Sequence, residues 1–106
     1  MPLHLTVDDV HVDGYEVVSA SATISTENVN YLVNTTSAAV TLTVDSSLTH
    51  FIVYDSHSNF AANNCTVDFG GMTSKTMNVD GEFMLYYKDG GTWRFMSLGV
   101  ASVGAV

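Results

Sequence analysis

Apolar and polar residues alternate along much of this chain, and the alternation is clearest in the segment YLVNTTSAAVTLTV. Tyr31 and Val33 fall on one side of a first strand. After a polar turn, Val40, Leu42 and Val44 alternate with threonines. A period of two residues is typical of a β-strand with one buried face. The segment therefore predicts two strands joined by a turn, with these apolar side chains in the core.

Similar patterns recur along the rest of the sequence. The segment 15–24 predicts one long strand, 50–55 a strand covered on both faces, and 65–69 another alternating strand. An aromatic hairpin over 83–98 closes the series and turns at Asp89-Gly90-Gly91, a combination that favours tight β-turns. No stretch shows the period of 3.6 residues that a helix requires.

The number and spacing of these segments predict the fold class. About eight or nine short strands, spaced about eight to twelve residues apart, are typical of sandwiches, jelly rolls and small barrels. We expect one domain over 1–106, an antiparallel β-sandwich or jelly roll with no substantial helix. The predicted core consists of Tyr31, Val33, Val40, Leu42, Val44, Ile52, Val67, Phe69, Leu85, Trp93 and Phe95.

Charge excludes several classes of partner. The net charge is −8, since the sequence has eleven acidic residues and three basic ones, Lys75, Lys88 and Arg94. Nucleic acids and anionic membrane surfaces need a basic protein surface, so neither is an expected partner. Cys65 is the single cysteine, which excludes an internal disulfide, and its alternation with Val67 predicts a buried apolar role.

The sequence contains no recognisable catalytic or metal-binding pattern. The four histidines, His4, His11, His50 and His57, lack the spacing of zinc ligands, and a cupin would need two or three histidines plus a glutamate on adjacent strands. The loop after Asp55 begins like a calcium loop but lacks its glycine and its final acid, so its side chains are expected to cap their own backbone. We expect no cofactor and no enzymatic activity.

Both ends of the chain are small and apolar, which suggests contacts beyond the domain's own core. The carboxyl-terminal tail, 99–106, is either a final edge strand or an arm that packs on a neighbour. The amino terminus lacks the basic start and apolar stretch of a signal peptide. The candidate docking residues are Leu3, Leu5, Val7, Val100, Ala101, Val103 and Val106.

The order of these segments resembles small β-domains of tailed-phage virion proteins. Those domains contain an aromatic strand, a Thr/Ser turn and a Val-Thr-Leu strand, which correspond here to 31–44. The next strand begins at Ile and ends at Asp, here 52–55. A loop rich in Asn, Ala and Ser follows, here 58–64, and then a short T-V-x-F strand, here 66–69. The pattern closes with a YxDGxxWR hairpin, which residues 87–94 match.

This resemblance implies a structural role. Such proteins are capsid decoration (cement) proteins, tail-needle knobs and fibre tips, and they tend to be jelly rolls that assemble as trimers or dimers. Knobs and tips usually follow a stalk, which this sequence does not show. We therefore expect a decoration protein made in the host cytoplasm and bound, as a homotrimer more readily than a homodimer, to the major capsid protein on the outer surface of the virion. A tail-fibre or tail-needle tip that binds a host receptor or glycan is the alternative. The usual proline after the Val-Thr-Leu strand is Asp45 here, so that loop is expected to differ.

Overall fold

The computed structural model describes the backbone of residues 4–7 and 10–100 and the side chains of residues 14–100. Its elements are all strands, and the described residues contain no helix. They are β1 (His4–Val7), β2 (Val10–Asp13), β3 (Tyr15–Val18), β4 (Ala22–Ile24), β5 (Asn30–Val33), β6 (Val40–Val44), β7 (His50–Asp55), β8 (Cys65–Gly70), β9 (Thr73–Met77), β10 (Glu82–Asp89) and β11 (Thr92–Val100). The prediction of an all-β chain is confirmed.

Nine of these strands form two sheets that pack face to face as a β-sandwich. The five-stranded sheet has the order β11-β10-β7-β5-β3, and the four-stranded sheet has the order β4-β6-β8-β9. Between them lies one hydrophobic core, in which Tyr31, Phe51 and Tyr86 of the first sheet join Leu42 and Val67 of the second. We call the core side of the five-stranded sheet its inner face and the opposite side its outer face.

The strand directions differ from the antiparallel arrangement that the sequence predicts. From β3 to β8 the chain alternates between the two sheets, so that β3, β5 and β7 lie in one sheet and β4, β6 and β8 in the other. The pairs β3–β5, β5–β7, β4–β6 and β6–β8 are therefore parallel. Parallel pairs need a crossover connection, and here a strand of the opposite sheet supplies it. Antiparallel pairing holds for β1–β2, β7–β10, β10–β11 and β8–β9, and jelly-roll topology stays a prediction.

The long strand predicted over 15–24 is wrong, because the chain changes sheet in its middle. It divides into β3 and β4, and the small, exposed residues 19–21 carry it from one sheet to the other. At this crossing the hydroxyl oxygen of Ser21 accepts a hydrogen bond from the backbone N–H of Thr41, at 2.9 Å. Period-two alternation continued through this crossing, so the sequence pattern did not reveal it.

The predicted core residues lie in three environments. Tyr31, Val33, Val40, Leu42, Val44 and Val67 are buried in the main core, and Phe69 and Trp93 are partly buried against it. Ile52 and Leu85 are fully buried but belong to a second cluster. Phe95 is 55% exposed, so its assignment to the core is wrong. Its alternation with Trp93 is correct, but β11 is the edge strand of its sheet, where little covers the side chain.

An aromatic cluster occupies the centre of the core, with Phe51 at its hub. The Phe51 ring stacks on Tyr86 at 5.3 Å between centroids and meets Tyr31 edge-on at 6.0 Å. Trp93 lies 5.5 Å from Phe51, and Phe69 lies 5.0 Å from Trp93. Such offset and edge-on pairs add to the stabilisation that burial provides. The closing hairpin therefore docks on the core through its aromatic side chains.

The two-stranded β1–β2 hairpin forms a partial third layer. Its register pairs Leu5 with Val12 and Val7 with Val10, and β2 lies close to β7. The inner face of β7 already packs against the four-stranded sheet. On the opposite side of the sheet, Ile52 and Leu85 are fully buried, which is consistent with the hairpin covering the outer face at β7.

Candidate assembly surface and aromatic groove

A row of side chains crosses the outer face of the five-stranded sheet from edge to edge. Strand register aligns Tyr15, Asn30, Ile52, Leu85 and Met96 in this row. The central Ile52 and Leu85 are fully buried, whereas Tyr15 is 57% exposed and Met96 is 41% exposed at the two ends. The row is therefore covered in the middle and open at both rims.

Neighbouring positions make the outer face apolar beyond this row. Phe83, Tyr87 and Leu98 pack against the buried pair Ile52 and Leu85, and the Tyr54 ring meets the Phe83 ring edge-on at 5.1 Å. Val17 extends the rim at β3 and is 63% exposed. We call Tyr15, Val17 and Met96 the rims of the outer face. Exposed apolar patches of this kind commonly mark interaction sites.

The structure describes only part of the predicted docking set. Leu3, Ala101, Val103 and Val106 lie outside the described residues. Leu5 and Val7 lie on β1, where only the backbone is described, and Val100 is exposed at the end of β11. Sequence reasoning placed docking at the chain ends and missed the rims, because alternation alone does not say which strands form the edges of a sheet.

A groove opens along one side of the sandwich, where β9 and β11 form the neighbouring edges of the two sheets. Phe69, Trp93 and Phe95 supply its aromatic walls. The ammonium of Lys75 lies 4.6 Å from the Phe95 ring centroid, and that of Lys88 lies 5.1 Å from the Trp93 ring centroid. These are cation–π distances. The groove therefore combines exposed aromatic surface with positive charge.

Two of the chain's three basic residues place their charge at this groove. The Lys75 and Lys88 ammonium groups lie over the Phe95 and Trp93 rings, and Lys88 also donates a hydrogen bond to the Ser46 carbonyl at 3.3 Å. The third, Arg94, alternates with Trp93 and Phe95, so its side chain lies on the outer face, where it pairs through Nε with the Asp89 carboxylate at 3.3 Å. Lys75 and Lys88 are distant in the sequence, and the fold of β9, β10 and β11 brings them to one groove.

The loop after β7 is organised by a buried carboxylate. Oδ2 of Asp55 accepts hydrogen bonds from the backbone N–H groups of Asn59, Phe60 and Gly81, at 2.7, 3.0 and 3.0 Å. The amides of Asn59 and Asn63 both donate to the carbonyl of Thr35, at 2.9 Å each. Asp55 thus caps its own loop, as the sequence predicted. Among the residues described, no cluster of three or more His, Cys, Asp or Glu could hold a metal ion.

Burial also determines the chemistry of Cys65. The thiol is completely buried, and desolvation raises its pKa from the ordinary value of 9.0 to about 12, with a further rise from the nearby carboxylates of Asp55 and Glu82. Because the thiolate is the reactive form, a thiol that stays protonated is a poor nucleophile. The position indicates a packing role.

This raised pKa predicts a loss of stability at alkaline pH. Above pH 9 the thiol ionises in the unfolded chain but stays protonated in the folded one, so ionisation favours unfolding as the pH rises toward the folded value. Between pH 9 and pH 10 the free energy of unfolding should fall by about 1 kcal/mol more in the wild type than in Cys65→Ala. Urea unfolding at both pH values measures the difference, and equal losses in the two proteins would contradict the assignment.

Comparison with known proteins identifies no relative of this chain. No protein-family model and no curated protein sequence matches this chain. Within the described part of the chain, no helix is long and apolar enough to span a membrane. The function is therefore argued from the outer face and the groove.

Proposed function

We propose that this protein is a non-enzymatic structural protein of a phage virion, a capsid decoration (cement) protein that binds the outer surface of the major capsid shell as a homo-oligomer. The observation that carries the proposal is the apolar outer face with its open rims, Tyr15, Val17 and Met96. Large apolar side chains exposed on a small domain are costly in water and favour burial against a partner. The phage setting rests on the sequence resemblance described above.

The positions of the rims support a homotrimer over a homodimer. Tyr15 and Val17 belong to β3 and Met96 to β11, which are opposite edges of one sheet. A two-fold dimer uses one patch twice, whereas a ring joins two different patches head to tail. Two separate apolar rims on each copy therefore suit a closed ring.

A cement role follows from many such contacts acting together. Each decoration site adds buried area across a seam between shell subunits, and an oligomer that touches several subunits binds more tightly than one copy alone. Binding to the assembled shell stabilises that shell by mass action. The net charge of −8 suits a docking site that is less acidic than the protein.

A charge placed on the rim tests this proposal. We expect Met96→Asp to weaken cosedimentation with undecorated shells of the encoding phage by at least about tenfold, because the new carboxylate would be buried without a partner. Met72→Asp is the matched control, since Met72 is fully exposed in the β8–β9 turn of the other sheet. It should bind like the wild type, as surface substitutions usually have small effects. The rims are proposed for contacts between copies as well as with the shell, so equal binding by all three proteins would contradict the outer face as the assembly surface.

One observation favours the alternative, a tail-fibre or tail-needle tip that binds a host receptor or glycan. The exposed Phe95 ring and the partly buried Trp93 ring of the groove lie beside polar side chains, an arrangement that suits the apolar face of a sugar. Immunogold labelling of intact virions distinguishes the two candidates. Label over the head supports a decoration protein, and label confined to the tail supports the alternative.

A further inference from the structure

We propose that the groove between β9 and β11 binds an acidic saccharide, a sugar ring that carries a carboxylate. This inference concerns the free protein and does not depend on where the protein sits on the virion. It rests on the groove's aromatic walls, on its two lysines and on the hydroxyl groups that line it.

Aromatic surface provides the first element of the site. Phe69, Trp93 and Phe95 line the groove, and the Phe69 and Trp93 ring centroids are 5.0 Å apart. More than half of the Phe95 side chain is exposed, even though the Lys75 ammonium lies near its ring. An exposed ring can stack against the C–H groups of a sugar, and aromatic stacking also restricts the orientation of a bound ring.

Charge provides the second element. Eleven acidic residues make the protein repel anions in general, so an anion can bind only where the local charge is positive. Lys75 and Lys88 create that situation at the groove, where their ammonium groups are held against the Phe95 and Trp93 rings. A carboxylate beside a stacked sugar ring would meet these cations. Neutral sugars would lack this interaction.

Hydroxyl groups provide the third element. Thr73 and Ser74 of β9 line a cavity of about 120 Å³ with the aromatic residues. Thr73 also lines an adjoining cavity of about 340 Å³, together with Thr92 and Trp93. Hydroxyls both donate and accept hydrogen bonds, which matches the hydroxyls of a saccharide. Two adjoining cavities favour a short oligosaccharide over a single sugar.

Titration of the full-length protein with defined oligosaccharides tests the proposal. The acidic probes are trigalacturonate and 3′-sialyllactose, and the neutral probes are galactotriose and lactose, with binding followed by NMR chemical shifts. We expect both acids to bind at least about tenfold more tightly than their neutral partners, with an affinity that falls as salt is added. Failure of both acids to bind, or equal binding of acidic and neutral probes, would overturn the proposal.

Two variants with matched controls locate the site. Lys75→Gln should weaken acid binding about tenfold, whereas Ser37→Asp, which changes the net charge equally but lies in the exposed β5–β6 turn, should not. Phe95→Ala should weaken binding similarly, and Val17→Ala on the opposite edge should not. If Phe95→Ala does not fold, Lys75→Gln alone decides.

Two further results of the same titration would overturn the proposal. Unchanged affinity in Lys75→Gln would overturn the site. A change in oligomeric state on Lys75→Gln, without saccharide binding by the wild type, would identify the groove as an interface between copies and would also overturn it. Shell binding is measured separately, so loss of saccharide binding leaves the proposed assembly role to its own test.

Discussion

Replacing Asp55 by alanine is expected to lower the free energy of unfolding by about 3–5 kcal/mol. The Asp55 carboxylate is completely buried, and one of its oxygens accepts three backbone hydrogen bonds of 3.0 Å or less. Alanine would leave the N–H groups of Asn59, Phe60 and Gly81 without this acceptor. Hydrogen bonds to charged groups are stronger than neutral ones, and unsatisfied buried donors are costly.

Asp55 also joins two parts of the chain, which increases the expected effect. Asn59 and Phe60 lie in the loop between β7 and β8, whereas Gly81 precedes β10. Phe60 is itself fully buried, so loosening this loop would also expose apolar surface. For a small domain with a total stability of about 5–15 kcal/mol, the loss would be a large fraction of the whole.

Chemical denaturation of three proteins measures this effect. Asp55→Asn keeps the shape and one acceptor oxygen, so its loss should lie between those of the wild type and Asp55→Ala. Asp89→Ala is the exposed control, because its ion pair with Arg94 lies on the surface and is worth at most about 1 kcal/mol. A loss of less than about 1 kcal/mol in Asp55→Ala would show that the buried carboxylate does not organise this loop.

Replacing Phe51 by alanine is expected to cost about 3–5 kcal/mol as well, for a different reason. Phe51 is fully buried at the hub of the aromatic cluster and contacts rings from β5, β10 and β11. Removing its ring would open a cavity that Tyr31 and Tyr86 cannot fill, because their own positions are fixed by strand register. The lost stability would therefore include both the free energy of burying the ring and the cost of the cavity that it leaves.

Phe95→Ala is the matched control for this substitution. It removes the same atoms from the edge strand of the same sheet, where the Phe95 side chain is half exposed. Its cost should be below about 1.5 kcal/mol, since much of the ring is already in water. Urea unfolding of the two variants should show a difference of about 2 kcal/mol or more, and equal losses would contradict the assignment of Phe51 as the hub.

Sequence pattern predicted the local structure well because burial in a strand repeats with a period of two. The inward alternation of Val40, Leu42 and Val44, the double-sided burial of His50–Asp55 and the Gly90-Gly91 turn all appear in the structure. At Gly90 and Gly91 φ is 58° and 85°, which is why a two-residue hairpin turn needs glycine there. Each of these features depends on neighbours in the sequence.

Features that depend on distant residues escaped prediction. Alternation does not say which sheet a strand joins, so the parallel pairs and the division of 15–24 were missed. It also does not identify edge strands, which is why Phe95 was assigned to the core. Asp55 was predicted to end a strand and cap the loop after it, but its hydrogen bond from Gly81, 26 positions away, was not predicted. The approach of Lys75 and Lys88 to one groove likewise requires the fold.

The same reasoning explains the mixed outcome for the candidate surface. The sequence indicated docking through apolar residues, and the structure does show exposed apolar side chains, but the described ones lie mainly on the rims of one sheet. Val100 is the only predicted docking residue whose side chain the structure describes. Rims become recognisable only when the strand order is known.

Heating virion shells with and without the protein tests the central claim most directly. One sample of undecorated shells is saturated with the wild-type protein, and a second sample receives no protein. The temperature of DNA release is then compared between the two samples. The proposed cement role predicts saturable binding and a higher release temperature, with Met96→Asp giving neither effect. An absence of binding, or binding that leaves the release temperature unchanged, would contradict it.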